Sequence, residues 1–206
     1  YQAHDLTAAP RVLGVDPARF GDDRSVIMKR QGPQASPALV YRGVDNMQLA
    51  DLVAQAIGDW HPDATFIDSG AGAGVIDRLK QLGYHIIEVP FGGRANRHTL
   101  HVNRRTEMWF EMRDWLQGGG AIPDSLSLKQ ELATPTYSFD TSGRRVLESK
   151  DQIKKRLQNA GSPDLADALA LTFASPIQKS IDRYEMARAG SKRDRNRWDR
   201  DPYESI

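Results

Sequence analysis

The chain has 206 residues, 39% of them hydrophobic and 27% charged, a balance that allows one globular domain with a full core and excludes a wholly disordered chain. No apolar run approaches the ~20 residues that span a bilayer, the first residues lack the apolar stretch of a secretory leader, and the absence of cysteine excludes disulfides and thiolate metal sites and fits a reducing compartment. A net charge of +1 exerts no general pull on nucleic acid, so such a partner requires local clusters of cations.

Taken in order, Arg11-Val-Leu-Gly-Val-Asp16 is an apolar run that ends in a carboxylate. A Gly-containing turn, Pro17 to Asp23, leads into a second apolar run at Ser25–Met28. The pair reads as a β-hairpin whose first strand carries Asp16 at its tip. Residues 31–37, rich in Pro, Gln and Ser, read as a loop, and 39–42 as a third strand. Met47, Leu49, Leu52, Val53, Ala56 and Ile57 recur at helical spacing, with Asn46 as the expected N-cap and His61-Pro62 as the stop. Ala64-Thr-Phe-Ile-Asp68 is another strand ending in aspartate, Ser69-Gly-Ala-Gly-Ala-Gly74 reads as a loop, 75–82 as a helix, and 84–89 as a strand stopped by Pro90. Strands interleaved with helices in this way imply an α/β fold with parallel crossovers.

A basic loop follows at 91–98, then a helix over 103–116 with Met108, Trp109, Met112, Trp115 and Leu116 on its apolar side, and a short helix over 126–132. Residues 136–148 read as a second hairpin turning at Thr141-Ser-Gly143, and 150–157 as a basic helix. Ser162-Pro163 is expected to cap a last helix over 164–174. From Ile177 on, charges of both signs alternate, and 177–206 is expected to be a charged, flexible tail. The polar start without an initiator Met leads us to expect that residues 1–10 are a linker end and the chain a fragment, with one domain over 11–176.

Three acidic clusters carry the chemistry. Asp16 and Asp68 end strands, and ligand crevices in α/β sheets lie at the carboxyl ends of the strands. Asp164 and Asp167, three apart, share one face of the last helix. A strand-tip aspartate also suits a turn that bonds its own backbone, and Asp164 also suits the helix dipole. Asp167, flanked by Leu165, Ala166, Ala168 and Leu169, is harder to explain without a function. Such a cluster repels itself unless it holds cations, and oxygen ligands select Mg²⁺ or Mn²⁺. Two ions ~3.5–4 Å apart suit phosphodiester hydrolysis.

The sequence resembles the C-terminal nuclease domain of the large terminase subunit of tailed bacteriophages. The resemblance rests on Gly14-Val-Asp16-Pro-Ala with Gly21-Asp-Asp23, Phe66-Ile-Asp68-Ser-Gly and Asn103-Arg-Arg-Thr-Glu-Met-Trp109. It continues through Glu148-Ser-Lys150 running into Lys154-Lys-Arg156, and Ser162-Pro-Asp-Leu-Ala-Asp-Ala168, in order across 11–175. It implies an RNase H-like (RuvC-type) fold, a mixed central β-sheet flanked by helices with an additional β-hairpin. It also implies a Mg²⁺- or Mn²⁺-dependent endonuclease with two ions that cuts concatemeric viral double-stranded DNA during packaging in the host cytoplasm. Carried over, Asp16, Asp68, Asp164 and Asp167 are metal ligands, with Asp16 bridging, and Lys150 contacts the scissile phosphate or the nucleophile. The implied partners are an N-terminal packaging ATPase, whose P-loop pattern this sequence lacks, the small terminase subunit, and the portal or prohead, which the tail is expected to meet.

Candidate DNA contacts are Arg104, Arg105, Arg144, Arg145, Lys154, Lys155 and Arg156, with Arg94 and Arg97, since phosphate binding needs cations and reads no sequence. The resemblance places the Arg144-Arg145 hairpin along the duplex. The glycines after Asp68 lack the spacing of a dinucleotide loop, His98 and His101 lack a third zinc ligand nearby, and Trp109 and Trp115 read as core. A Holliday-junction resolvase shares the fold and acids. A non-catalytic DNA- or capsid-binding module has no use for four aspartates, and an actin-like ATPase needs a second phosphate-binding hairpin.

Overall fold

The computed structural model describes residues 6–18, 24–158 and 161–179. The Gly21-Asp-Asp23 segment, residues 1–5 of the expected linker and 180–206 of the expected tail lie outside the described residues.

The sheet is built outward from β1 (Arg11–Asp16). On one side β2 (Arg24–Gln31) runs antiparallel to it, with Arg11 opposite Gln31 and Asp16 opposite Val26. The short β3 (Gln34–Ala35) and β4 (Leu39–Arg42) both pair antiparallel with β2, β3 at its far end and β4 along Arg24–Ile27. α1 (Asn46–Trp60) then crosses over to β5 (Ala64–Asp68), parallel to β1, and α2 (Ser69–Gln81) to β6 (Ile87–Val89), parallel to β5. The order is β3-β2-β1-β5-β6, with β4 beside β2. The remaining elements are α3 (Arg104–Gln117), α4 (Leu126–Ala133), the hairpin β7 (Tyr137–Phe139) and β8 (Arg145–Leu147), α5 (Lys150–Arg156) and α6 (Asp164–Leu171).

Alternation along the strands divides the interior into two cores. Val12, Val26, Met28 and Phe66 face α3, α4 and α6, whereas Leu13, Val15, Ile27 and Ile67 face α1 and α2. Helices therefore cover both faces, which is why β1 reads as a continuous apolar run rather than an alternating one. α6 crosses β1 directly over Gly14, where a Cβ would stand 2.2 Å from the Ala168 carbonyl oxygen. That close approach brings the first turn of α6 to the tip of β1.

Several boundaries differ from the sequence expectation. α1 is capped by Asp45, which accepts from Gln48 N at 2.8 Å and donates its own N–H to the Gln48 side chain at 3.0 Å; Asn46 packs against Gly74 instead. The glycine-rich stretch expected as a loop is the first half of α2. Asp68 caps it by accepting from Gly70 N at 3.1 Å. Glycine weakens a helix, but a Cβ at Gly72 would lie 2.8 Å from Pro17 Cγ, so tertiary closeness overrides propensity. The short β3 lies within the expected loop, β6 is half the expected length, and α6 stops at Leu171. The expected Ser162 cap is not made, and the Ser162 hydroxyl is buried with no partner among the described residues. Glu131 of α4 caps α6 from outside, accepting from Leu165 N at 2.7 Å and Ala166 N at 3.2 Å. Among the described residues no helix is long and apolar enough to cross a membrane.

Candidate active site

The parallel strands β1 and β5 end side by side at Asp16 and Asp68. α6 brings Asp164 and Asp167 from the neighbouring layer, and α5 begins beside them at Lys150. All four aspartates are buried, and Asp167 is 0% exposed. The Lys150 ammonium stands 3.1 Å from Asp16 Oδ2, 3.2 Å from Asp167 Oδ2 and 3.4 Å from Asp164 Oδ1. A cleft of about 470 Å³ opens over this group, lined among others by Arg24, Phe91, Arg105 and Lys154.

The electrostatics differ from one acid to the next. Burial, reinforced by the charges of Asp167, Asp164 and Asp68, pushes the Asp16 carboxyl up to about 8 against the pull of Lys150. Burial also raises Asp68, although the N–H groups of Gly70 and Phe91 oppose it. Asp167 behaves differently. Burial raises it, but Arg105, Lys150 and Trp109 together hold it below the usual carboxylate range. Burial disfavours the Lys150 charge, yet the aspartates around it outweigh that and raise its pKa.

Each α6 carboxylate also has an arginine partner. Asp167 accepts from Arg105 Nε at 2.8 Å, Arg105 Nη2 at 3.3 Å and Trp109 Nε1 at 2.7 Å. Asp164 accepts from Arg24 Nε at 3.3 Å, and Arg24 also reaches Glu131 at 2.7 Å. Among the described residues no three acidic or histidine side chains stand ready-made to hold a metal ion; an ammonium occupies the middle of the acids instead. The donor set itself fits a hard divalent cation. It is all carboxylate oxygen, buried, and already gathered around a positive charge.

The structure thus brings together Asp16, Asp68, Asp164, Asp167 and Lys150. The expected DNA contacts scatter. Lys154 lines the cleft and Lys155 is exposed on α5. Arg105 does not stand free for phosphate, because it is buried and its remaining nitrogen donates to the Glu148 carbonyl at 2.9 Å. Arg104 is turned away, to Glu107 at 2.6 Å and to the Ala174 carbonyl. Arg144 pairs with Asp140 and Arg156 with Glu148, each at 2.7 Å, and Arg145 lies over the Phe110 ring. Arg97 pairs with Glu111, and Arg94 is exposed.

Sequence reasoning missed Arg24, Glu131 and the polar role of Trp109. Arg24 was detectable, since in the first hairpin it lies two residues beyond the partner of Asp16 and therefore on the same face. The four-residue spacing of Arg105 and Trp109 marks a shared helical face, but nothing in sequence points it at Asp167. Glu131 left no signal.

No family model matches the sequence, and no curated protein matches it. Solved structures do. The nuclease domain of the large terminase subunit gp2 of bacterial virus Sf6 is 19% identical, with a TM-score of 0.68 over 81% of this chain and 89% of that one. A point mutant of that domain, solved with manganese and β-thujaplicinol, is 20% identical with the same TM-score and the same coverage. The large terminase nuclease from thermophilic phage G20c is 16% identical, with a TM-score of 0.61 over 81% of this chain and 82% of that one, and has been solved with cobalt and with magnesium. The fold of this chain is the RNase H-like fold of these nuclease domains.

Proposed function

We propose that the chain is the metal-dependent endonuclease domain of a viral DNA-packaging terminase, which cuts concatemeric double-stranded DNA by two-metal phosphodiester hydrolysis. The observation that carries this reading is the convergence of four buried aspartates, from β1, β5 and α6, at the carboxyl ends of parallel strands, with Asp16, Asp164 and Asp167 gathered on the Lys150 ammonium. The metal ions held by the fold neighbours support it.

Asp16, Asp68, Asp164 and Asp167 are the residues to hold Mg²⁺ or Mn²⁺. Bound ions would supply an activated water and would neutralise charge developing on the phosphate and the leaving oxygen. Lys150 brings a positive charge to the same place and meets the scissile phosphate, and Lys154 at the cleft wall meets the flanking backbone. Neither reads bases, so cutting should be weakly sequence-selective. On this reading residues 11–176 are the nuclease domain, 1–10 lead in from a packaging ATPase, and 177–206 are a tail. The further partners are the small terminase subunit and the portal or prohead, in the host cytoplasm.

The test is plasmid nicking and linearisation with Mn²⁺, Mg²⁺ or EDTA, for the wild type and Asp16→Ala. Cutting that requires the ion and is lost in the variant is expected. A folded protein that cuts with no ion, or cutting that survives Asp16→Ala, rejects the assignment. Preference for four-way junctions over linear duplex would move the reading to a resolvase.

A further inference from the structure

Asp167 is the most enclosed of the acids, and α3 rather than the cleft decides how it is oriented. Arg105 and Trp109 lie four residues apart on one face of that helix. Asp167 Oδ1 accepts from Arg105 Nε at 2.8 Å and from Trp109 Nε1 at 2.7 Å, which fills both lone pairs of that oxygen. Oδ2 accepts only the longer contact from Arg105 Nη2, 3.3 Å, and faces Lys150 at 3.2 Å. Arg105 is itself tied down, since Nη1 donates to the Glu148 carbonyl at 2.9 Å just before α5 begins. The carboxylate is thus held in one orientation with a single oxygen toward the other acids.

We propose that Arg105 and Trp109 are positioning residues that orient Asp167, with Oδ2 toward the other acids, for the divalent ion that these acids would hold. The proposal rests on the metal-dependent reading above and adds to it how one ligand is fixed. Partners of metal ligands orient them, and their loss typically weakens metal affinity ~10–100-fold. Trp109→Phe keeps an aromatic ring and removes one donor, leaving Oδ1 half-satisfied and the carboxylate held by Arg105 alone. Arg105→Lys keeps the charge and removes the fork.

The test measures Mn²⁺ itself, by electron paramagnetic resonance of the free ion during titration of the full chain, with DNA cutting followed alongside. Each variant is made in the wild type and in Asp167→Asn. In the wild-type background both substitutions should weaken Mn²⁺ affinity at least about 10-fold, and excess Mn²⁺ should recover part of the cutting. In Asp167→Asn, Trp109→Phe should cost nothing further, because the carboxylate that Trp109 orients for the ion is gone. Unchanged Mn²⁺ affinity in Trp109→Phe, or an equal loss in both backgrounds, overturns the proposal, since the second result is that of a general packing defect. If Trp109→Phe does not fold, Arg105→Lys makes the same comparison. A folded wild type that takes up no Mn²⁺ overturns the metal-dependent reading and this proposal together, whereas wild-type binding with unaffected variants overturns the positioning role alone.

Discussion

Asp16 is the residue on which the forces at the site meet. Burial and three neighbouring aspartates push its carboxyl up to about 8, and Lys150 opposes them. Replacing it with the isosteric Asn removes a proposed metal ligand and a buried ionisable carboxyl at once. Asp16→Asn should therefore lose cutting by more than the ~10–100-fold that follows loss of a mere partner of a ligand, while its melting temperature stays level or rises slightly as repulsion is relieved. Cutting within a few-fold of wild type would remove Asp16 from the site. This residue was legible in sequence because an apolar strand that ends in a carboxylate is costly without a partner. Asp68 was legible for the same reason, and Asp167 because its neighbours are apolar. The residues that aim these acids were not legible. Trp109 reads as core from its apolar helix face, and it is core; only the third dimension turns its N–H onto Asp167. Arg105 reads as a surface cation until the fold buries it against that same carboxylate.

At the scale of elements, the close crossing of α6 over β1 fixes where the acids meet. Gly14→Ala would drive a Cβ to 2.2 Å from the Ala168 backbone oxygen, which no rotamer change relieves. The loss should reach or exceed the upper end of the ~1–3 kcal/mol typical of overpacking. Gly58, inside α1 with nothing near its missing Cβ, is the contrasting case: Gly58→Ala should gain ~0.5–1 kcal/mol from helix propensity. Denaturant melts of the two variants check both signs. Composition alone does not distinguish these glycines, nor does it show that residues 69–74 are helical. The run reads as a loop because the need for small residues comes from Pro17 and Asn46 across the fold.

The hairpin β7–β8 carries another device at this scale. It is tied to the segment before α3 by Arg145 N to the Leu100 carbonyl at 2.8 Å and Val102 N to the Arg145 carbonyl at 3.1 Å. His101 lies fully buried there against Phe110, with no hydrogen-bond partner for either ring nitrogen among the described residues. Burial, with Arg97 and Arg145, lowers its pKa, while Glu107 and Asp114 oppose the shift. The folded chain therefore keeps His101 neutral at a pH where the unfolded chain, titrating near 6.5, already takes up a proton. Stability present above about pH 6.5 is lost as the pH falls below it. His101→Phe should remove that dependence, so that the stability difference between variant and wild type shifts toward the variant on acidification, by at most ~1.4 kcal/mol per pH unit. Thermal melts from pH 8 to pH 5 read the effect, and parallel profiles for the two proteins would contradict it.

For the whole molecule, the acids lie where three separately supported layers come together. β1 and β5 belong to both cores, α6 to the core it shares with α3 and α4, and Lys150 to a helix that begins just after the hairpin. A divalent ion bound there would tie the sheet to α6, and the unfolded chain offers no such arrangement. Ion binding should then stabilise the entire fold by mass action, by about 2.7 kcal/mol at 100 times its dissociation constant. For a chain of this size that corresponds to a rise of roughly 5–10 °C in melting temperature, at ~2–4 °C per kcal/mol. Mn²⁺ should produce the rise, EDTA should abolish it, and NaCl of equal ionic strength should not reproduce it, because screening of surface charges is not the cause. Asp16→Asn should lose most of the rise while melting no lower than wild type in EDTA. A rise of equal size in that variant would place the stabilising ion elsewhere on the molecule, and no rise in the wild type would mean that Lys150 alone satisfies the acids.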